Sequence, residues 1–324
     1  MRIALEVMGG DYAPQETVAG AILAAQEYKT KIILVGNEAA IAKEIEKYVE
    51  NKDLITIQHA SEIIGMDEHP VTAVRKKRDS SIVVANVLVK EKKADAVVSV
   101  GNTGAAMAAS LFELGRIKGI DRPAIAIMIP TVKGFTVLLD AGANADCKPN
   151  NLKQFALMGS LYVEKVLGVS NPRVGLINIG TEESKGNELT KLAYAVLKGY
   201  SDINFAGNIE SRELQTGYVD VAVCDGFIGN IILKTMEGTV AFLMNAFNDI
   251  VKKQSIGDKG EIFKELKHRI DYAEYGGAPL LGVNGVSIIG HGSSKADAIK
   301  NAVRVAKESV EKNLINLISE STYK

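Results

Sequence analysis

Residues 96–114, AVVSVGNTGAAMAASLFEL, decide how the rest of the chain is read. Ala96–Val100 is short, β-branched and free of charge, the pattern of a strand buried on both faces. Gly101 to Gly104 interrupts it, and from Gly104 to Leu114 the residues turn to Ala, Met and Leu, which favour a helix. The stretch is therefore a strand leading through a glycine turn into a helix. In an open α/β sheet, ligands bind at such turns, outside the carboxyl ends of the strands.

Outward from this unit the same alternation recurs. Strands are expected at Ile3–Val7, Ile32–Val35, Leu54–Gln58, Ala124–Ile129, Phe135–Leu139, Val174–Asn178, Ile203–Phe205, Val219–Cys224 and Val286–Ile289. Helices are expected at Pro14–Tyr28, Glu38–Val49, Val71–Lys77, Ile82–Lys92, Asn150–Leu167, Asn187–Leu197 and Lys295–Ile318. Alternation of this kind predicts an α/β protein with a mainly parallel sheet covered on both faces. Only Ala124–Ile129 and Phe135–Leu139 lie too close for a helix between them, and they are read as an antiparallel pair turned at Thr131–Gly134. Pro14 and Pro70 suit the first helical position, and Ser294 with Asp297 resembles a capping box. With neither repeat nor linker in the sequence, residues 1–324 are read as one domain. One region departs from the alternation: Phe227 to Val251 is apolar on most sides, and Ile262, Phe263, Leu266 and Ile270 follow a turn-like Ser255–Gly260. This reads as an αα-hairpin over about 227–272, either a buried core element or an interface with a partner.

The composition excludes several functions. The 324 residues carry 47% hydrophobic and 24% charged residues with a net charge of −1. That balance leaves no basic field for nucleic acid. Cys147 and Cys224 lie far apart, and the four histidines show no ligand spacing, so neither disulfides nor a transition metal is expected. Met1 leads straight into a strand-like run rather than a signal peptide. No run of 18 consecutive apolar residues occurs, so a cytoplasmic location is expected.

Four loops pair glycine with small polar residues directly after a strand. In Met8-Gly9-Gly10-Asp11 the glycines admit a ligand to the backbone, and Asp11 either contacts it or caps the next helix. In SVGNTGAA, Gly101 and Gly104 free the backbone while Asn102 and Thr103 offer donors at a helix start, a phosphate nest or a capped tight turn. NIGTEESKGNELT brings Thr181, Lys185, Gly186 and Asn187 ahead of a helix; it is an anion loop with a cation, or a solvated charged loop. In CDGFIGN, Asp225 caps a helix or orients substrate, Gly226 permits close approach, Asn230 follows, and Cys224 reads as a buried inert thiol. Two further elements are Arg75, Lys76, Lys77 and Arg78, a solvated face or an anion-steering patch, and His291 in GHGSS, a proton carrier or a structural histidine.

Together these segments resemble the phosphate acyltransferase family. The resemblance rests on MGGDYAPQETVAGA, AVRKKRDSS, SVGNTGAA, GRIKGIDRPAIA, LLDAGAN, KPNNLKQFALMGS, PRVGLINIGTEESKGNELTK, CDGFIGNIILKTMEG, YGGAPLLG and HGSS, in order along the whole chain. One departure shows: the family opens on Asp-Ala-Met-Gly-Gly-Asp, where this chain has Glu6-Val7. The resemblance implies a three-layer α/β/α fold related to phosphotransacetylases and isopropylmalate dehydrogenase, with a protruding αα-hairpin. It implies reversible transfer of a fatty acyl chain from acyl carrier protein to inorganic phosphate, and acyl phosphate passed on to a membrane glycerol-3-phosphate acyltransferase. It further implies a homodimer, peripheral membrane contact, and no metal or organic cofactor. On that reading Lys185 neutralises phosphate or the oxyanion, Asp225 and Asn230 orient substrate, and Gly9, Gly10, Asp11, Gly101, Asn102, Thr103, Gly104, Thr181, Gly186, Asn187 and Gly226 hold it. His291 stays a candidate proton carrier. The acidic carrier protein is expected on Arg75–Arg78, Arg116, Lys118 and Arg122. Spacing alone does not separate a carrier-protein donor from a short acyl-CoA.

Overall fold

A computed structural model describes residues 1–48, 52–253 and 276–322. The chain forms two compact units: Met1–Ile127 with Leu161–Ser170 and Tyr275–Lys324, and Met128–Ser160 with Asn171–Glu274. The chain crosses between them without a Pro- or Ser-rich linker.

Unit 1 is built on β1 (Arg2–Glu6), β2 (Lys31–Gly36), β3 (Ile55–His59), β4 (Ala96–Ser99) and β12 (Val286–Ile289), parallel in the order β3-β2-β1-β4-β12. Two short strands, β11 (Ala278–Leu281) and β5 (Ala124–Ile125), extend the sheet antiparallel beyond β12. After Arg2, every residue of β1 is buried, as a strand covered on both faces must be. On one face Ile3, Leu5 and Val7 pack with Val18 and Ile22 of α1 (Gln15–Tyr28) and Ile299 and Val303 of α9 (Ala296–Glu311). Each such side chain contributes about 1.5–3 kcal/mol when fully buried. On the other face Ala4, Val35 and Val97 pack with Ala85 and Leu88 of α4 (Ser81–Lys90). α1 and α9 approach closely because position 20 is Gly: a Cβ there would lie 2.6 Å from Ile299 Cβ.

Unit 2 has a five-stranded sheet in the order β6-β7-β10-β8-β9. Its strands are β6 (Ile127–Thr131), β7 (Gly134–Leu139), β8 (Arg173–Asn178), β9 (Asn204–Glu210) and β10 (Val221–Val223). β7, β10, β8 and β9 run parallel, and β6 joins β7 through Val132-Lys133, a link that permits only an antiparallel pair. α6 (Pro149–Leu161), α7 (Glu188–Lys198) and α8 (Gly226–Lys253) accompany this sheet. Position 159 in α6 is Gly because a Cβ would lie 2.7 Å from Val221 Cγ1 and 2.8 Å from Leu139 Cδ1.

The mixed, mostly parallel α/β class agrees with the sequence reading, but several details differ. Two sheets stand where one was expected. The run Ala124–Ile129 is not one strand: it belongs to both sheets, parting at Ala126, whose N–H donates to Pro279 O. The last helix is two, α9 and α10 (Leu314–Ser321), broken where Asn313 adopts a left-handed φ of 55°. Pro14 is the N-cap of α1 rather than its first residue, whereas Pro70 does open α3 (Pro70–Lys76). The first N–H of α9 is held by Glu16 Oε2 at 2.8 Å rather than by a capping box. α8 supplies the first arm of the expected hairpin; the second arm lies outside the described residues. Gly226–Ile250 is long and apolar enough to cross a bilayer by length and composition, although no 18 consecutive residues in it are apolar. Its first turn, however, is seated in unit 2 against Asp140.

Candidate functional site

In unit 1 the chain order reverses between β1 and β4: β2 and β3 extend to one side of β1, β4 and β12 to the other. Ligands bind at such switch points in open α/β sheets. Here the loops following β1, β4 and β12 converge. Asp11 N–H donates to Gly292 O at 2.8 Å, and Gly290 N–H to Ser99 O at 2.7 Å. Gly10 has a φ of 95°, and a Cβ there would approach Val100 O and Gly292 O at about 3 Å, so only glycine fits without strain.

Beneath these loops lies Glu6, 2% exposed. Its Oε1 accepts from Ser81 Oγ at 2.9 Å and its Oε2 from Ser99 Oγ at 2.5 Å. A Cβ on Gly9 would stand 2.7 Å from Gly101 Cα and 2.8 Å from both Glu6 oxygens. Gly9 and Gly101 therefore touch across the carboxyl. Burial pushes the Glu6 carboxyl above its ordinary 4.5, and the Ser99 and Ser81 hydroxyls offset part of that rise. A carboxyl raised on folding binds more protons folded than unfolded, so it makes stability fall as pH rises above 4.5. Glu6→Gln should therefore be more stable relative to wild type at pH 8 than at pH 5, read from urea midpoints. An equal difference at both pH values would show that Glu6 does not carry this dependence.

Asn102 is the N-cap of α5 (Thr103–Glu113), accepting from Ala105 N–H at 3.0 Å. Its amide donates to the carbonyls of Gly65, Met66 and Glu68 at 3.0–3.3 Å. The side chain expected to supply donors to a ligand thus ties the β4 loop to residues 65–68. Gly104 packs on Pro70, 2.6 Å from where a Cβ would sit, and Thr103 opens α5. His291 is exposed, with Nδ1 2.7 Å from Ser293 Oγ.

In unit 2 the loops following β7, β10 and β8 carry the other candidates. Asp140, fully buried after β7, accepts four hydrogen bonds: Oδ1 from the N–H groups of Gly142 (3.3 Å) and Ala143 (3.0 Å), Oδ2 from Asn144 N–H (2.7 Å) and Asn144 Nδ2 (2.8 Å). α8 begins on this loop. Gly226 N–H donates to Asn144 O at 2.8 Å, and Asp225 Oδ1 caps the helix by accepting from Ile228 N–H at 2.8 Å. A Cβ on Gly229 would lie 1.8 Å from Asp140 O. Asn230 is exposed on the following residue, beside Gly142. Cys224 is buried; desolvation, with Asp225 and Asp140 adding to it, pushes its thiol well above the ordinary range. That agrees with an inert thiol.

The loop after β8 reads Ile179-Gly180-Thr181-Glu182-Glu183-Ser184-Lys185-Gly186-Asn187. Asn187 caps α7, accepting from Thr190 N–H at 2.9 Å. Gly186 has a φ of 97°, and a Cβ would lie 2.1 Å from Thr190 Oγ1 and 2.4 Å from Asn178 Oδ1. Lys185 is half-exposed, its Nζ 4.0 Å from Glu182 Oε1. Thr181 is exposed on the same loop. An ammonium beside a helix N-terminus is an arrangement suited to an anion.

The basic residues divide. Lys77 turns inward to Glu68 Oε1 (2.6 Å) and Ile63 O (2.7 Å), and Arg78 pairs with Glu113 at 2.6 Å. Arg75 lies 5.2 Å over the Phe112 ring. Arg116 donates to Asp121 O, and Lys118 O accepts from Thr322. Lys76 and Arg122 are exposed. Glu6, Ser81, Ser99, Asp140 and Asn178 were not singled out as site residues from the sequence. The signals available were the Glu6 departure from the family's opening and the place of the other four within AVRKKRDSS, SVGNTGAA, LLDAGAN and PRVGLINIGTEESKGNELTK.

The family model of the fatty acid synthesis protein matches residues 1–317. A phosphate acyltransferase from Desulforamulus reducens is 58% identical to the chain, over 99% of it and 97% of the relative. One from Pelotomaculum thermopropionicum is 56% identical, over 99% and 95%. Among solved structures, a phosphotransacetylase from Streptococcus pyogenes superposes with a TM-score of 0.65 at 18% identity, covering 96% of this chain and 94% of that one. At that identity the likeness concerns the fold, which is the one the sequence resemblance implies. Matched over nearly its whole length by both the family model and these relatives, the chain belongs to the phosphate acyltransferase family of fatty acid synthesis proteins.

Proposed function

We propose that this protein transfers a fatty acyl group reversibly from acyl carrier protein to inorganic phosphate, giving acyl phosphate for phosphatidic acid synthesis. The observation that carries the reading is the near-full-length match to phosphate acyltransferases. The loop chemistry supports it. Phosphate is already an oxygen anion at neutral pH, so no activated side-chain nucleophile is required, and the buried Cys224 need not serve as one.

In the forward direction a phosphate oxygen forms a bond to the thioester carbonyl carbon, and the carbonyl electrons move onto its oxygen. The tetrahedral intermediate collapses, the C–S bond breaks with its electron pair on sulfur, and the thiolate takes a proton from solvent. What the protein supplies is position and charge. In unit 2, Lys185 meets a phosphate or the oxyanion as a point charge, backbone N–H groups at the start of α7 add donors, and Asn230 orients substrate. Asp225 acts by fixing the start of α8. In unit 1, the glycine loops around Gly9 and Gly101 form an anion seat of their own, with His291 on the loop after β12. Lys76, Arg75 and Arg122 are the docking cations of the carrier protein. The exposed Phe242, Leu243 and Ile250 of α8 support a homodimer with peripheral membrane contact.

The test is phosphate-dependent release of thiol from palmitoyl-acyl carrier protein, with palmitoyl-CoA in parallel and the salt concentration varied. Release from the carrier-protein substrate only, requiring phosphate and falling steeply with salt, is expected. Light scattering on the same sample should give the mass of two chains. Equal turnover of palmitoyl-CoA would replace the donor assignment, and no release from either substrate would overturn the reading.

A further inference from the structure

Two asparagines on neighbouring strands hold the loop that carries Lys185. Asn178, the last residue of β8, donates from Nδ2 to Lys185 O at 3.2 Å, while its Oδ1 accepts from Ile179 N–H at 2.9 Å. Asn208 lies on β9, in register with Leu176 of β8. Its Nδ2 donates to Glu182 O at 2.9 Å. Lys185 N–H also donates to Glu182 O, at 3.1 Å. The backbone around Lys185 is thus held from below at Glu182 and Lys185, while its side chain stays half-exposed. Gly186 completes the arrangement, since any side chain there would displace the Asn178 amide.

Asn208 is the less expected of the two. It is 4% exposed on a strand of the sheet, and among the described residues its Oδ1 has no hydrogen-bond partner. A buried amide oxygen left unpaired is destabilising, and an apolar residue of similar size would avoid that penalty. Local costs of this kind gather at functional positions. What the position gains is the Nδ2 donor to Glu182 O, which fixes the loop three residues before the cation. Asn178 could be expected at the end of a βα unit from its neighbouring glycine loop; Asn208 sits mid-strand in NFAGNIE and carries no such signal.

We propose that Asn208, with Asn178, is a positioning residue of the phosphate site: it fixes the backbone of the 179–187 loop so that Lys185 meets the phosphate. The proposal rests on the assignment of Lys185 to phosphate. Asn208 touches no substrate and acts only through the loop, so its loss weakens phosphate binding more than it slows turnover once phosphate saturates. Asn208→Asp keeps the shape and the acceptor but removes the donor to Glu182 O; Asn208→Ala removes both.

The experiment is a double-mutant cycle on the thiol-release assay, with inorganic phosphate as the varied substrate and thermal midpoints recorded for every variant. Asn208→Ala and Asn208→Asp should each raise the phosphate KM about tenfold, the upper end of what one neutral hydrogen bond contributes, with kcat changed less than KM. In a Lys185→Ala background the same substitutions should add less than about twofold, because partners acting through one another are not additive. A full additional tenfold loss in that background would overturn the proposal and make Asn208 a stability residue only. So would an unchanged phosphate KM in Asn208→Asp, or a KM change that tracks the drop in thermal midpoint across variants. If Lys185→Ala itself leaves the kinetics unchanged, the Lys185 assignment fails, and this inference falls with it. A normal Lys185 effect with silent Asn208 variants removes this inference alone.

Discussion

Asp140→Ala is expected to destabilise unit 2 by about 2–4 kcal/mol, the cost of leaving several hydrogen-bond donors without their acceptor. Four hydrogen bonds end on this one carboxylate, and three of the donors are consecutive backbone N–H groups. Removing the acceptors takes the partner from each of those N–H groups at a position whose own side chain is fully buried, and each donor that stays out of water costs about 1–3 kcal/mol. Asp140→Asn does not repair the loss. It restores one oxygen, but its amide hydrogens then point at an N–H or at the Asn144 amide. Gly229→Ala probes the same junction from the helix side: its Cβ would overlap Asp140 O at 1.8 Å, a backbone atom that cannot rotate away. The start of α8 would have to lift from the loop, so a loss above about 2 kcal/mol is expected, as for overpacking with no flexible neighbour. Urea unfolding with an unfolding probe in unit 2 gives both values. Midpoints within about 0.5 kcal/mol of wild type, the range of neutral surface changes, would remove Asp140 as the anchor of this junction.

Much of the architecture was legible because each βα unit carries local signals. Ala96–Val100 is apolar without alternation because β4 is covered on both faces, and the glycine turn after it marks a site at a strand end. Three signals misled. Ala124–Ile129 is apolar throughout, so nothing in it marks the parting of the two sheets at Ala126. β11 was missed because APLL is four residues long and contains a proline. In the last helix the apolar stripe passes through Val310, Leu314 and Leu317 at helical spacing and so hides the break, although Asn313 is a residue type that tolerates the left-handed turn found there.

The candidate site was legible as a set of loops and not as a set of contacts. Capping by Asp225, which the sequence offered, joins residues three positions apart, as does the capping by Asn187 that the structure adds. The clamp of Asn102 on residues 65–68 and the meeting of Glu6 with Ser81 and Ser99 join residues 34 to 93 positions apart. Such meetings are made by strand order, which no local pattern records. Glu6, where the sequence resemblance implies Asp, is likewise placed only by the fold: its two oxygens accept from hydroxyls of two different segments, at the start of α4 and the end of β4.

Lys185→Ala is expected to lower kcat/KM for phosphate by about 100- to 1000-fold, the loss that follows removal of one preorganised charge-stabilising group. The side chain is half-exposed, and the ion pair to Glu182 is long at 4.0 Å, with Glu182 itself largely exposed. Such a pair is worth little to folding, so the thermal midpoint should stay near wild type while activity falls. That separation is what distinguishes a functional cation from a structural one. The loop backbone is held by Asn178 and Asn208 rather than by the lysine side chain, so the truncated loop keeps its shape and the loss reports charge alone. Lys185→Arg keeps the charge but replaces a compact ammonium with a planar fork, and should recover binding more than turnover. Steady-state rates over a range of phosphate concentrations separate the two contributions. A rise in KM alone places the ammonium on ground-state phosphate, whereas an equal fall in kcat and kcat/KM places it on the charge developing in the transition state. Rates within about threefold of wild type, below what removal of any such group produces, would take Lys185 out of the reaction and leave the glycine loops of unit 1 as the anion seat.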